Sequence, residues 1–139
     1  MFTSMGRPTA AYEQVSLTTS IESADPHKLI LLLFEGATAA LNSAKFLMQD
    51  GNIPAKGAAI SKAIDIITNG LQASLDPVQG GELAERLAAL YEYMSARLLW
   101  SNMKNDVAAL DEVLMLLGEI HDAWKQIAPN KQSLGNGPD

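Results

Sequence analysis

Cysteine is absent from this 139-residue chain, and histidine occurs only twice, at His27 and His121. The absence of cysteine excludes disulfide scaffolds, thiolate metal sites and cysteine nucleophiles, and it fits a reducing compartment. A di-metal site in a helical bundle needs a glutamate three residues before each histidine. Ala24 and Gly118 occupy those positions, so the sequence predicts no such metal site.

Basic residues and long apolar runs are also scarce. The chain has 10 Lys and Arg against 16 Asp and Glu, a formal net charge of −6, so nucleic acid and anionic lipid surfaces are not expected partners. No uninterrupted run approaches the roughly 18 apolar residues of a membrane span. Residues 1–8 lack the apolar stretch of a secretory signal. We therefore expect a cytoplasmic protein without a membrane span.

The motifs of common enzyme classes are missing too. Gly80 and Gly81 precede a predicted helix, but no Gly-Lys-Ser/Thr follows them. Glu82 and Glu85 would already occupy the positive end of that helix, where a phosphate would bind. The chain has neither a Gly-x-Ser-x-Gly elbow nor a His-Glu-x-x-His pair. The sequence thus predicts a protein that is not an enzyme and needs no cofactor or metal.

Four stretches instead carry apolar residues at every third or fourth position, which is typical of amphipathic helices. They predict helices over about residues 26–50, 54–75, 82–104 and 106–128. Asp25-Pro26 and Asn105-Asp106 supply caps, and Gly51 and Pro129 supply stops. Because the connections are short, we predict an all-α, antiparallel up-down four-helix bundle.

The ends of the chain differ from this bundle domain, which we assign to residues 11–129. Residues 1–10 are expected to be flexible, and residues 130–139, rich in Gly, Asn, Ser and Pro, are expected to form a disordered tail. The stretch around Tyr12, Val15 and Leu17 is too short for a stable isolated helix. It is predicted to be a short helical segment or strap that docks on another surface or stays loose.

The four helices hold more apolar residues than one buried face of each can use. Residues 29–34 are six consecutive apolar residues, so they point in every direction around the helix. Tyr91, Leu99 and Trp100 lie beyond the main stripe of the third helix, and Met115 and Leu116 beyond that of the fourth. Such a surplus predicts an apolar groove for an amphipathic helix of another protein, or alternatively a surface for self-association.

Short motifs spread over residues 11–129 also match a known family, in order and in spacing. They are Ala11-Tyr12-Glu13-Gln14-Val15, Ser23-Ala24-Asp25-Pro26-His27-Lys28-Leu29, Leu33-Phe34-Glu35-Gly36-Ala37, Lys62-Ala63-Ile64-Asp65-Ile66-Ile67, Leu71-Gln72-Ala73-Ser74-Leu75-Asp76, Gly80-Gly81-Glu82-Leu83-Ala84, Leu90-Tyr91-Glu92-Tyr93-Met94, Arg97-Leu98, Asn102, Asp106, Leu110-Asp111-Glu112-Val113 and Asp122-Ala123-Trp124-Lys125. Jointly they resemble the FliS family, the flagellin-specific export chaperones of flagellated bacteria.

This resemblance implies a function. A chaperone of that family binds the C-terminal helical region of newly made flagellin in the cytoplasm, prevents premature polymerisation and assists delivery to the flagellar type III export gate. Flagellin and components of the export gate are therefore the implied partners. A segment that is disordered when free can fold as amphipathic helices in a groove. The alternative from another class is a non-catalytic bundle that acts as a homodimer or larger homo-oligomer in a structural or regulatory role.

The resemblance also suggests site residues. The family's N-terminal segment is held to occupy part of the groove when the client is absent, and this implies a groove-capping role for Tyr12, Val15 and Leu17. A simple terminal anchor is the alternative role for Tyr12. For the client-binding groove itself we predict surplus apolar residues of the third and fourth helices, namely Tyr91, Leu98, Leu99 and Val113.

Overall fold

The fold is an all-α bundle of four helices in a computed structural model that describes residues 25–136, with side chains described up to residue 127. Helix α1 is Pro26–Asp50. Helix α2 is Ile53–Asp65, and it continues directly into a π-helical segment, Ile66–Gln72. Helix α3 is Pro77–Lys104, and helix α4 is Val107–Asn136. This confirms the predicted all-α bundle.

Local side-chain chemistry sets the helix ends. The Asp25 carboxylate accepts a hydrogen bond from the Lys28 amide at 2.7 Å, and Asn52 accepts one from Ala55 at 3.2 Å. Both satisfy amides that have no partner inside the helix. After α1, Gly51 takes the left-handed conformation with φ 81°, which a glycine adopts without steric penalty. Asn105 does the same after α3 with φ 52°.

Pairs of contacting residues establish the antiparallel order. Across α1 and α4, the end of one helix lies beside the start of the other: His27 bonds to Trp124, and Lys45 pairs with Asp111 at 3.0 Å. Across α2 and α3, Lys56 bonds to Asn102 and Thr68 to Ser95. Between α1 and the π-helical segment, Leu33 lies beside Gly70 and Gly36 beside Ile66. Between α3 and α4, Arg97 pairs with Glu112.

One apolar core runs along the bundle and takes residues from every helix. Its largest fully buried side chains are Phe34, Leu41, Ile60, Ile67, Leu71, Met94, Leu98, Leu110, Val113 and Leu117. Four alanines of α1 and α2 complete it on the side where these helices face each other: Ala37, Ala40, Ala44 and Ala63. Small residues at these positions let the two helices approach closely and bury their stripes.

Two boundaries differ from the sequence-based prediction. Helix α4 does not end at Pro129 but continues to Asn136, so the predicted disordered tail does not begin at residue 130. A proline removes a single helical donor, and the backbone on either side can keep its helical dihedrals. Helix α3 begins at Pro77 rather than Glu82, although Gly81 has non-helical dihedrals of φ 53° and ψ −130°. The predicted start therefore coincides with a kink.

Among the described residues, α1 is by length and composition apolar enough to cross a membrane. In this fold its buried residues pack on α2 and α4 as those of a core helix do. Length and composition alone are weak grounds for a membrane span.

Candidate functional site

An apolar cleft of about 290 Å³ lies at the end of the bundle where α1 and α3 begin and α2 ends. Helices α1, α3 and α4 and the π-helical segment after α2 contribute to its walls. The lining includes Ile30 of α1, Leu75 after the π-helical segment, Leu83 and Leu87 of α3, and Ile120 and Trp124 of α4. Leu83 is 65% exposed, so the cleft presents apolar side chain directly to solvent.

The kink in α3 shapes one wall of the cleft. Asp76 caps the helix by accepting hydrogen bonds from the amides of Val78 and Gln79 at 3.0 and 3.1 Å. At Gly81 the positive φ of 53° favours glycine. A Cβ at Gly80 would lie 2.7 Å from the Cβ of Ala84, closer than two carbon atoms can pack. The two glycines therefore permit a bend that other residues would resist.

The π-helical segment shapes the opposite wall. Its wider turn is closed by the Ala73 amide, which donates to the Thr68 carbonyl at 3.2 Å. Within it, a Cβ at Gly70 would lie 3.0 Å from a Leu33 methyl of α1, so glycine permits this close approach. Leu71 is then buried at the base of the cleft. Such π-helical turns inside helices occur frequently at functional sites.

Three aromatic residues from three helices complete the lining: Phe34, Tyr91 and Trp124. Phe34 and Tyr91 are buried, while Trp124 is half-buried. Burial raises the pKa of Tyr91 to about 12, because the charged phenolate is poorly solvated there. Tyr91 therefore stays neutral at physiological pH and adds no charge to the cleft.

Two polar side chains of the lining already bond to the backbone. Ser74 donates to the Leu71 carbonyl at 2.8 Å, and Asp76 serves as the cap of α3. Among the described residues, no group of three or more His, Asp or Glu side chains is placed to hold a metal ion. The arrangement suits burial of an apolar surface from another molecule.

The structure separates the four residues predicted for the groove. Tyr91 lines the cleft. Leu98 and Val113 are 0% exposed and belong to the core, so neither side chain is accessible in this conformation, and their contact with a client stays a prediction. Leu98 lies one turn after the core residue Met94 and points inward from the same face of α3. Leu99 is 57% exposed and lies outside the cleft lining.

The predicted capping residues Tyr12, Val15 and Leu17 lie outside the described residues. Sequence reasoning also missed most of the cleft, because its apolar residues have the same helical spacing as core residues. These residues are Leu71, Leu75, Leu83, Leu87, Ile120 and Trp124. Their helical spacing carries no sign that neighbouring helices leave a gap beside them. The signal that could have found them is positional, since all of them lie towards the same end of an antiparallel bundle.

A polar network joins α3 and α4 outside the cleft. The Tyr93 hydroxyl donates to Glu112 at 2.6 Å, and the Arg97 guanidinium donates to the other oxygen of the same carboxylate at 2.9 Å. The hydrogen bond from Tyr93, followed by that from Arg97, lowers the pKa of Glu112. The same bond raises the pKa of Tyr93. The network holds the two helices in register.

Comparison with known proteins assigns the chain to a family. The sequence model of the family described as flagellar protein FliS matches residues 8–131. The chain belongs to the FliS family. The match spans every residue that lines the cleft, and this confirms the resemblance inferred from the motifs.

Curated relatives of this FliS-family chain cover nearly its full length. A flagellar secretion chaperone FliS of Salmonella typhimurium is 50% identical over 129 residues, which is 93% of this chain and 94% of that protein. The flagellar secretion chaperone FliS of Escherichia coli is 47% identical over 118 residues, 85% of this chain and 87% of that protein. The flagellar secretion chaperone FliSB of Pseudomonas aeruginosa is 47% identical over 117 residues, 84% and 92% of the two chains.

Proposed function

We propose that this FliS-family chain is a cytoplasmic export chaperone that binds the C-terminal helical region of flagellin, prevents premature polymerisation and assists flagellar type III secretion. Relatives of nearly equal length are named flagellar secretion chaperones, and this supports the export role. The observation that carries the client-binding part is the apolar cleft formed by α1, α3, α4 and the π-helical segment.

The chemistry of the cleft supports an amphipathic helix as the client. Leu83 and Leu87 lie one turn apart on α3, opposite Ile30 and Trp124. These four side chains offer several apolar contacts along the cleft. Each Å² of apolar surface buried there contributes about 25 cal/mol before the cost of ordering the client. A segment that is disordered when free can fold on this surface, and its apolar face is then inaccessible to other flagellin molecules.

The N-terminal segment with Tyr12, Val15 and Leu17 is proposed to occupy the cleft when no client is bound. Helix α1 begins at Asp25–Pro26, at the same end of the bundle as the cleft. Leu17 precedes Asp25 by eight residues, and an extended chain of that length reaches about 27 Å. The segment is therefore long enough to reach the cleft without any rearrangement of the bundle.

Leu99 is proposed as a second client contact, on the outer face of α3. It lies beside the exposed residues Trp100 and Met103, which extend the apolar surface towards the other end of the bundle. A client with several helical segments could contact both this face and the cleft. The chain is also proposed to contact components of the export gate.

The test is to mix the full chain with a synthetic C-terminal segment of flagellin. If the segment folds on binding, the circular dichroism of the mixture exceeds the sum of the two separate spectra, and calorimetry gives a one-to-one complex with a negative heat-capacity change. Additive spectra with no heat of binding would contradict the proposal. Sedimentation of the chain alone then decides whether the homo-oligomeric alternative applies, since only that alternative requires stable self-association.

A further inference from the structure

Two ring stacks cross the seam between α1 and α4 behind the cleft. The rings of His27 and Trp124 stack with centroids 5.0 Å apart and an interplanar angle of 15°. Those of Phe34 and His121 stack at 5.2 Å and 6°. In each pair the ring of Phe34 or Trp124 lines the cleft, and the histidine does not. Both histidines of the chain therefore lie behind an aromatic wall of the site.

The first pair is also joined by two hydrogen bonds in opposite directions. The Nε2 atom of His27 lies 2.8 Å from the Trp124 carbonyl oxygen, and the Trp124 Nε1 donates to the His27 carbonyl at 3.0 Å. A carbonyl oxygen can only accept, so Nε2 of His27 must carry the proton. Nδ1 of His27 is buried and has no hydrogen-bond partner among the described residues.

These contacts fix an otherwise adjustable side chain. Trp124 is half-buried and could turn about two side-chain torsions, whereas His27 is 1% exposed and anchored in the first turn of α1. The stack sets the plane of the indole, and the bond from Nε1 sets its direction. Burial of a ring nitrogen without a hydrogen-bond partner lowers the stability of the fold. The stack and the two hydrogen bonds with Trp124 explain why a histidine is retained at this position.

We infer that His27 is a positioning residue of the cleft, which holds the Trp124 indole in place as one of its walls. The effect on client affinity rests on the proposed function, whereas the effect on Trp124 does not. A structural histidine that only fills space would require neither the Nε2 proton nor the bond to the Trp124 carbonyl. The two roles therefore differ in measurable ways.

The first measurement uses the unaltered chain. Long-range proton–nitrogen correlation spectra are expected to show a proton on Nε2 of His27. The Trp124 indole proton is expected to exchange with solvent at least about ten-fold more slowly than that of Trp100. Trp100 is a suitable internal reference because its indole bonds to an exposed carboxylate, Asp106, at 3.2 Å. An Nε2 without a proton, or equal exchange of the two indoles, would overturn the inference.

The second measurement compares two variants in a Trp100→Phe background, where Trp124 is the remaining tryptophan of the two in the chain. His27→Phe keeps a ring that can stack on the indole, whereas His27→Leu fills the space without one. The main-chain carbonyl of residue 27, which accepts from the indole, is present in both variants. Acrylamide quenching of Trp124 is expected to rise about two-fold in His27→Leu and to stay near the parent value in His27→Phe. Equal quenching in the two variants contradicts the positioning role. The spectra of the unaltered chain decide the question even if His27→Leu does not fold.

The last measurement connects the indole to the client. With the synthetic flagellin segment as probe, His27→Leu is expected to bind about ten-fold more weakly than the parent, and His27→Phe within about three-fold of it. If the parent binds and His27→Leu binds equally well, His27 does not position the cleft for its client. If the parent itself fails to bind, the proposed function is wrong, and the quenching and exchange data still decide whether His27 holds Trp124.

Discussion

Leu98 and Leu99 are adjacent in α3, yet Leu98 is 0% exposed and Leu99 is 57% exposed. Consecutive residues of an α-helix point about 100° apart, so the first enters the core and the second points to solvent. Leu98 lies in the same cluster as Met94 and Val113. The boundary between core and accessible surface in α3 therefore falls between two neighbouring leucines.

The two leucines should respond very differently to truncation. Leu98→Ala leaves a cavity in a close-packed core and is expected to lower the free energy of unfolding by about 2–5 kcal/mol. Leu99→Ala, the matched control, is expected to change it by less than about 0.5 kcal/mol. Urea unfolding followed by circular dichroism measures both values. Similar losses in the two variants would mean that Leu99 is also a core residue.

Lys56 provides a second test of the fold, because its ammonium group is buried and donates to the Asn102 carbonyl at 2.9 Å. That carbonyl lacks its usual helical partner, since the Asp106 amide bonds to Ser101 instead. Lys56→Met would leave the carbonyl unsatisfied and is expected to cost about 1–3 kcal/mol of stability. Lys62→Met, at an exposed site of the same helix, should be nearly neutral. Equal unfolding midpoints for both variants would show that the bond contributes nothing measurable.

The helix ends of this chain could be predicted from sequence because capping chemistry is local. Asp25 and Asn52 accept hydrogen bonds from amides three residues later, and such a bond depends only on the residues of one turn. Gly51 and Asn105 adopt the left-handed conformation, which these residue types tolerate best. With four capped amphipathic segments and short connections, the bundle follows.

The cleft could not be predicted in the same way, because it results from departures from regular helix geometry. Leu71 and Leu83 have the spacing of core residues, and whether a neighbouring helix covers them depends on the kink at Gly81 and on the π-helical segment. No residue type within Ile66–Gln72 signals a π-helical turn. The continuation of α4 past Pro129 was missed for a related reason, since a helix can tolerate one lost hydrogen bond near its end.

The Tyr93–Glu112–Arg97 network predicts a specific loss of stability in acid. The pKa of Glu112 is lowered in the folded chain, mainly by the hydrogen bond from Tyr93. A carboxyl with a lowered folded pKa stabilises the fold above its unfolded pKa, and this contribution disappears as the pH falls through the folded value. Asp106, whose pKa is lowered chiefly by the Ala109 amide, behaves in the same direction.

Glu112→Gln isolates one of these two groups. The amide keeps an acceptor for Tyr93 but does not titrate, so the urea midpoint of the variant should fall less than that of the unaltered chain between about pH 5 and pH 3. The other carboxyls titrate in both proteins and cancel in the comparison. The expected difference is small, because the network is exposed to solvent. Midpoints that decline in parallel would show that Glu112 is not stabilised by its partners.

Removal of the N-terminal segment tests the proposed competition for the cleft. A chain without residues 1–18 lacks Tyr12, Val15 and Leu17, so the client would no longer have to displace them. Its affinity for the flagellin segment is expected to rise about three- to ten-fold, measured by calorimetry. A full-length chain with Tyr12→Ser, Val15→Ser and Leu17→Ser is the matched control and should show the same gain. Unaltered binding in both would remove the capping role.

A single charge in the cleft gives the sharpest test of where the client binds. Leu83 is 65% exposed and lines the cleft, whereas Val78 is 90% exposed on the same helix and does not line it. Leu83→Glu is expected to weaken binding of the flagellin segment at least about ten-fold, because a carboxylate would have to be buried against apolar surface. Val78→Glu adds the same charge to the same helix and should leave affinity nearly unchanged. Both sites are open to solvent, so both variants should keep the helicity and unfolding midpoint of the parent. If the two variants lose affinity equally, the effect is general charge repulsion, and the client does not bind in the cleft.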